Sequence, residues 1–215
     1  VDGIGTTVTA QGSDAGVFIA APGGITVSGS AVVTADASQD AFFDNEGSAR
    51  IELCGGGIDT AGLNPTFACT PSGSGGILLN GATLSALGGI NPDTFSGGPA
   101  LVNLMATSID VINAAEIEAY ASTGGLASAI LDASGAININ TGIIEASTGV
   151  SGGNAQAILR GGSSVATGAM ISAQGENGAL TAFDSTSFIT LTGSTVSAST
   201  TTCCAGAIVG LSADT

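Results

Sequence analysis

The chain has 215 residues, with 17 acidic side chains against two arginines, no lysine and no histidine, giving a formal net charge of −15. That balance repels phosphate backbones and anionic lipid, which sets nucleic acid and membrane surfaces aside as partners. The apolar fraction is 44%, yet no apolar run approaches the roughly 18 residues of a membrane span, and 35 glycines among many Ser, Thr and Val residues argue against helix.

Read from the N-terminus, one plan recurs. An alternating apolar segment opens each unit at Val1, Ile25, Ile51, Ile77, Ile109, Ile137, Ser164 and Ile189, at intervals of 24, 26, 26, 32, 28, 27 and 25 residues. Stretches such as Ile25-Thr-Val-Ser, Ile51-Glu-Leu-Cys and Ile137-Asn-Ile-Asn place branched apolar groups on one face of a strand. Next comes Gly5, Gly29, Gly55, Gly81, Asn113, Thr141, Gly168 or Gly193, a position suited to a tight corner. A second strand then ends in an apolar residue, a polar or acidic one, and Ala: Val8/Ala10, Val33/Ala35, Leu84/Ala86, Ile117/Ala119, Ile144/Ala146, Ile171/Ala173 and Val196/Ala198, with Ile58/Thr60 as the variant. After a Gly/Ser/Thr/Asn loop of variable length comes a third apolar segment, as in Val17-Phe-Ile, Phe42-Phe, Leu101-Val-Asn-Leu, Ala129-Ile-Leu and Ile208-Val.

A fixed cyclic order of three short strands predicts an all-β parallel β-helix, a β-solenoid of about eight rungs of roughly 26 residues, with insertions confined to one corner. Residues 1–215 read as one domain whose first and last rungs are incomplete. A β-sandwich is the rival, but it would show two-residue turns between antiparallel strands and no single cyclic order.

The two ends carry core-type residues where capped solenoids carry polar ones: Val1, Ile4, Val8 and Ala10 at one end, Ala207, Ile208, Val209 and Leu211 at the other. If a second copy followed Thr215, its Val1 would fall 27 residues after Ile189, one repeat length. The expectation is a head-to-tail homopolymer in which the C-terminal strand completes the first rung of the next copy, adding about 38 Å per copy at about 4.8 Å per rung.

Four cysteines favour an oxidising compartment. Cys54 closes one strand and Cys69 lies in the Pro- and Gly-rich stretch before Ile77, so a bridge between them is the first choice. Cys203 and Cys204 are adjacent and can pair with each other, cross-link neighbouring subunits or stay reduced. Val1-Asp-Gly carries no signal peptide, so the sequence is read as the mature form of an extracellular protein.

Without Lys or His, acid–base chemistry would fall to carboxylates alone, such as Glu116 with Glu118, or Asp40, Asp44 and Glu46. No catalytic residue, cofactor or metal is assigned, although Asp36, Asp40, Asp44 and Glu46 offer oxygens that Ca²⁺ accepts, in a spacing unlike known calcium loops. Gly55-Gly-Gly57 and Gly161-Gly162 lack the phosphate-loop pattern and read as corners. Thr7/Thr9 and Thr190/Thr192 suggest an ice-ordering array, which Glu52, Asp110, Asn138 and Asn140 interrupt.

Ile143-Ile-Glu-Ala-Ser-Thr-Gly, Met170-Ile-Ser-Ala-Gln-Gly and Gly193-Ser-Thr-Val-Ser-Ala-Ser-Thr, each leading into a small-residue loop, resemble repeats of filamentous-haemagglutinin-like secreted bacterial proteins. The resemblance covers nearly the whole chain in repeat style. It implies a right-handed β-helix, export to the cell surface and a role in adhesion or biofilm, and it carries over no functional residue. The expected function is thus a secreted structural subunit that polymerises through its ends. A monomeric adhesin or passenger stalk is the alternative and a polysaccharide-active β-helix enzyme is third, with cell-surface glycans and divalent cations as the other candidate partners.

Overall fold

A computed structural model describes residues 1, 5–38, 47–55, 57–59, 68–70, 75–89, 97–122, 124–149, 152–202 and 205–214. In chain order, the first rung holds β1 (Thr7–Gln11) and β2 (Asp14–Ala20), and the second β3 (Ile25–Ser28), β4 (Val32–Asp36) and β5 (Ser48–Cys54). An excursion follows, β6 (Gly57–Asp59) and β7 (Ala68–Thr70). The coils resume with β8 (Ile77–Asn80), β9 (Thr83–Gly88) and β10 (Ala100–Ala106), then β11 (Ile109–Ile112), β12 (Glu116–Ala121) and β13 (Leu126–Ala133). The last rungs contain β14 (Ala136–Asn140), β15 (Ile143–Thr148), β16 (Asn154–Thr167), β17 (Met170–Gly175), β18 (Gly178–Thr192), β19 (Thr195–Thr200) and β20 (Gly206–Ala213).

These strands stack into a parallel β-solenoid, and among the described residues there is no helix. All neighbouring coils pair in parallel, which removes the sandwich, and among the described residues the one antiparallel pair is β6 with β7. The middle face is a seven-stranded sheet, β1-β4-β9-β12-β15-β17-β19. The third face is β2-β5-β10-β13, continuing through the first halves of β16 and β18 to β20, and the first face is β3-β8-β11-β14, continuing through their second halves.

Register explains the core. On the middle face Val8, Val33, Leu84, Ile117, Ile144, Ile171 and Val196 form one inward column and Ala10, Ala35, Ala86, Ala119, Ala146, Ala173 and Ala198 the next. The third face begins with a second alanine column, Ala15, Ala49, Ala100, Ala127, Ala155, Ala179 and Ala207. The two alanine columns flank the corner where the middle and third faces converge, and a methyl group is all such a wedge can hold at native packing density. Larger side chains fill the wide part of the section, Leu53, Leu104, Leu131 and Leu159 in one fully buried column. Each is worth about 1.5–3 kcal/mol of transfer free energy.

The corner between first and middle faces recurs as expected. Gly5, Gly29, Gly81, Asn113, Thr141, Gly168 and Gly193 all have positive φ, between 56° and 79°. Thr141 is the costly member, because a β-branched residue is strained in the left-handed region.

Four expectations need correction. Ile51 does not open a rung: it stands in β5 on the third face, beside Val17 and Val102, while Ile25 pairs directly with Ile77. The column therefore has seven rungs, about 34 Å at about 4.8 Å each, where eight were expected. Gly55 accordingly is no positive-φ corner, Ile58 sits in the antiparallel β6, and the third strand expected at Phe42-Phe43, outside the described residues, is β5. Long connections occupy two corners, not one: Asp36 to Ser48 and Gly88 to Ala100 lie between middle and third faces, whereas Cys54 to Ile77 lies between third and first. Finally, Val1 N donates to Thr26 O at 2.9 Å and Val1 O accepts from Ser28 N at 3.1 Å, which sets Val1 level with Val27 and not with Ile25.

Candidate assembly interface

Inside the column inward side chains are sealed between the rungs above and below, and each of the two end rungs lacks one of those neighbours. The effect is large. Leu211 is 57% exposed although Leu53, Leu104, Leu131 and Leu159 of its column are 0% exposed. Val209 and Leu191, at inward positions, are 47% and 38% exposed, and Val196 and Ala198 are half-buried. At the other end Val1 is exposed and Val8, Ala10 and Ile19 are half-buried, whereas Ala15 and Val17 are already buried, at 4% and 7%, so this end is the more enclosed of the two.

Backbone edges run along the same two ends. β19 pairs with β17 alone, β20 with β18 alone, and the second half of β18 with β16 alone among the described residues. At the other end, among the described residues, β1 pairs with β4 alone and β2 with β5 alone. Each edge is a row of backbone groups facing outward along the column axis, the usual template for adding a strand.

Of the eight residues expected at an interface, Ile4 lies outside the described residues. Val1, Val8, Ala10, Ala207, Val209 and Leu211 occupy inward columns of the end rungs. Ile208 does not: it pairs with Leu180 on the outer surface of the third face and is 60% exposed. Phe18 answers it at the far end of that surface, 42% exposed, with Arg50 Cζ 5.9 Å from its ring centroid. Sequence reading passed over Phe18 because it was counted in an apolar segment, although its alternation with Val17 and Ile19 marks it as outward.

The Cys54–Cys69 disulfide is present, tying the end of β5 to β7 across a sequence separation of 15. Cys203 and Cys204 lie outside the described residues, as do Asp40, Asp44 and Glu46. Asp36, 8% exposed, accepts from Ser38 N at 2.9 Å and from the Ser38 hydroxyl. Arg50 forms an ion pair with Glu52. Glu116 and Glu118 project outward from β12, and Glu118 is level with Glu145 on the next rung and accepts from Ser85 Oγ at 3.0 Å. Thr7 and Thr9 stand on the middle face and Thr190 and Thr192 on the first, so the two threonine pairs do not form one array.

An apolar groove runs over the outer third face, lined by Arg50, Leu101, Leu126, Ile130 and Gln156 and continued by Leu180 to Ile208. Among the described residues no group of three or more metal-ligating side chains converges, and no helix is long and apolar enough to cross a membrane.

Comparison with protein-family models, with curated proteins and with solved structures gave no match. The resemblance to filamentous-haemagglutinin-like proteins gains no support from these comparisons, and what stands is the architecture, a parallel β-solenoid consistent with a β-helix repeat protein.

Proposed function

We propose that the protein is a non-enzymatic, extracellular structural subunit that extends its β column by joining end to end with further copies of itself, without a bound cofactor. The observation that carries this reading is that both end rungs continue the columns of the interior. Each carries inward apolar columns of Val, Leu, Ile or Ala and a strand edge unpaired among the described residues, where a capping repeat would be polar. The strands at one end, β19 and β20, belong to the same faces as β1 and β2 at the other, and all run parallel, so translation along the axis continues both sheets. A heterologous contact of this kind does not close on itself and yields an open filament.

Composition supports the non-catalytic part, since the chain offers no Lys or His for proton transfer. The Cys54–Cys69 disulfide is consistent with an oxidising compartment. The acidic exterior, −15 per copy, keeps filament surfaces mutually repulsive and disfavours lateral clumping. The test is negative-stain microscopy with sedimentation velocity over a hundredfold range of protein concentration. Unbranched filaments one coil wide are expected, and particles that stay monomeric throughout would refute the reading.

A further inference from the structure

We infer that the joint between copies forms in a single register, fixed by the two alanine columns, with Ala198 stacking on Ala10 and Ala207 on Ala15 of a second copy. This rests on the end-to-end reading above and adds to it which residues meet. Each alanine column keeps Ala at all seven described rungs, whereas every larger column varies in residue type.

A slip of one residue would turn every inward side chain outward. Slips of two are the real competitors. One places Ala207 against Val17 and the other places Val209 against Ala15, and in both a valine enters the column that holds only methyl groups inside the chain. The outer surface of the third face favours the same register. With Ala207 on Ala15, exposed Phe18 lies beside Gly210, a position without a side chain, while Ile208 comes level with Gly16 and meets the Phe18 ring that already lies over that glycine. Adding a Cβ at Gly210 would meet nothing within 4 Å in the free chain, so that space is open until a neighbour fills it. Sliding by two instead sets Ile208 against Asp14 or against Phe18.

Charge agrees. In this register β19 lies along β1 as Thr195/Thr7, Val196/Val8, Ser197/Thr9, Ala198/Ala10 and Ser199/Gln11, and β20 along β2 from Gly206/Asp14 to Ser212/Ala20. No acidic side chain faces another across it, in a chain with 17 of them. On the first face Leu191 comes level with Val1, the two exposed ends of one inward column.

The experiment uses cysteine pairs in the full chain, with Cys203→Ser and Cys204→Ser to remove competing thiols. Ser197→Cys with Thr9→Cys puts one thiol on each outer edge at the predicted level, within the Cα separation of about 4.4–6.8 Å that a disulfide accepts. Six coil turns separate the two residues within one chain, so only a joint between copies brings them together. Mild oxidation is expected to give a ladder of covalent multimers on a non-reducing gel, and the pair Ser197→Cys with Gln11→Cys at least tenfold less. Equal cross-linking by both pairs, or preference for the second, overturns the single register while filaments in the micrographs leave end-to-end joining intact. An unsubstituted chain that never elongates removes both.

Discussion

Ser164 Oγ lies 2.8 Å from Ser185 Oγ, and both hydroxyls are sealed inside the apolar column, at 0% and 1% exposure. Ser164 occupies the rung position held by Ile77, Ile109 and Ile137 below it. A hydroxyl is tolerated there because each serine satisfies the other. The volume that Ser164 and Ala166 leave on the first face is offset within the same core by Phe183. Ser164→Ala should cost about 1–3 kcal/mol by stranding the Ser185 hydroxyl, and Ser164→Ala with Ser185→Ala less than the sum of the single changes. Urea denaturation of the three variants checks this.

Backbone strain and close approach can be separated at two glycines. Gly193 has φ +59° with nothing within 4 Å of an added Cβ, so Gly193→Val should cost only the left-handed strain, about 1–2 kcal/mol. At Gly75 an added Cβ would sit 2.2 Å from Gly55 O and 2.7 Å from both Gly24 N and Pro22 O. These are backbone atoms, the first at the start of the same connection and the other two in the turn between β2 and β3, and they cannot give way locally. Gly75→Ala should therefore destabilise more than Gly193→Val despite the smaller side chain, a ranking that thermal melts by circular dichroism resolve.

The disulfide anchors an excursion, not the column. Cys54 ends β5, which is already paired with both β2 and β10, while β7 pairs only with β6 among the described residues. Closing a loop of this length constrains the unfolded chain by about 3 kcal/mol in principle. Cys54→Ser with Cys69→Ser should lower global stability by less than that, since the hairpin can open alone. Hydrogen exchange should report it as early opening of residues 57–59 and 68–70 while β8 and β10 stay protected.

The periodicity was legible because each face repeats the same side-chain types at each rung, and seven of eight anchors fall in the first face. Ile51 shows where that logic stops. Ile51-Glu-Leu-Cys-Gly copies the pattern of Ile25-Thr-Val-Ser-Gly, because strands of both faces alternate in the same way and both meet a corner. The signal that separates them is the next segment: Ile58/Thr60 breaks the rule of apolar, polar, Ala that every genuine middle-face strand obeys. A missing alanine was thus the mark of an excursion. The alanine column of the third face escaped notice for a related reason. Its members precede the bulky residues that draw the eye, and their function as wedge fillers is visible only once two faces converge.

Glu118 and Glu145 are level on adjacent strands of the middle face, both partly exposed, and like charges so placed repel. Glu145→Gln should raise stability by about 0.2–1 kcal/mol at low ionic strength. The gain should shrink in about 1 M salt, where screening acts within roughly 3 Å. Melting curves in the two buffers test the sign and the salt dependence together.

The end rungs can be probed with one substitution placed twice. Leu131 and Leu211 share a column, but Leu131 is 0% exposed in the middle of the stack and Leu211 is 57% exposed at its end. Leu131→Asp buries an unpaired carboxylate among apolar neighbours, and the column has no means to hydrate it, so the chain should fail to fold. Leu211→Asp keeps its carboxylate in water as long as the chain is alone, so the fold and melting temperature should hold. End-to-end contact would cover that same carboxylate beside Ile19 of the next copy. Leu211→Asp is therefore expected to raise the concentration needed for elongation more than a hundredfold, about 2.7 kcal/mol or more per joint. Light scattering against concentration measures this directly, and an unchanged threshold would place the contact between copies somewhere other than the end rungs.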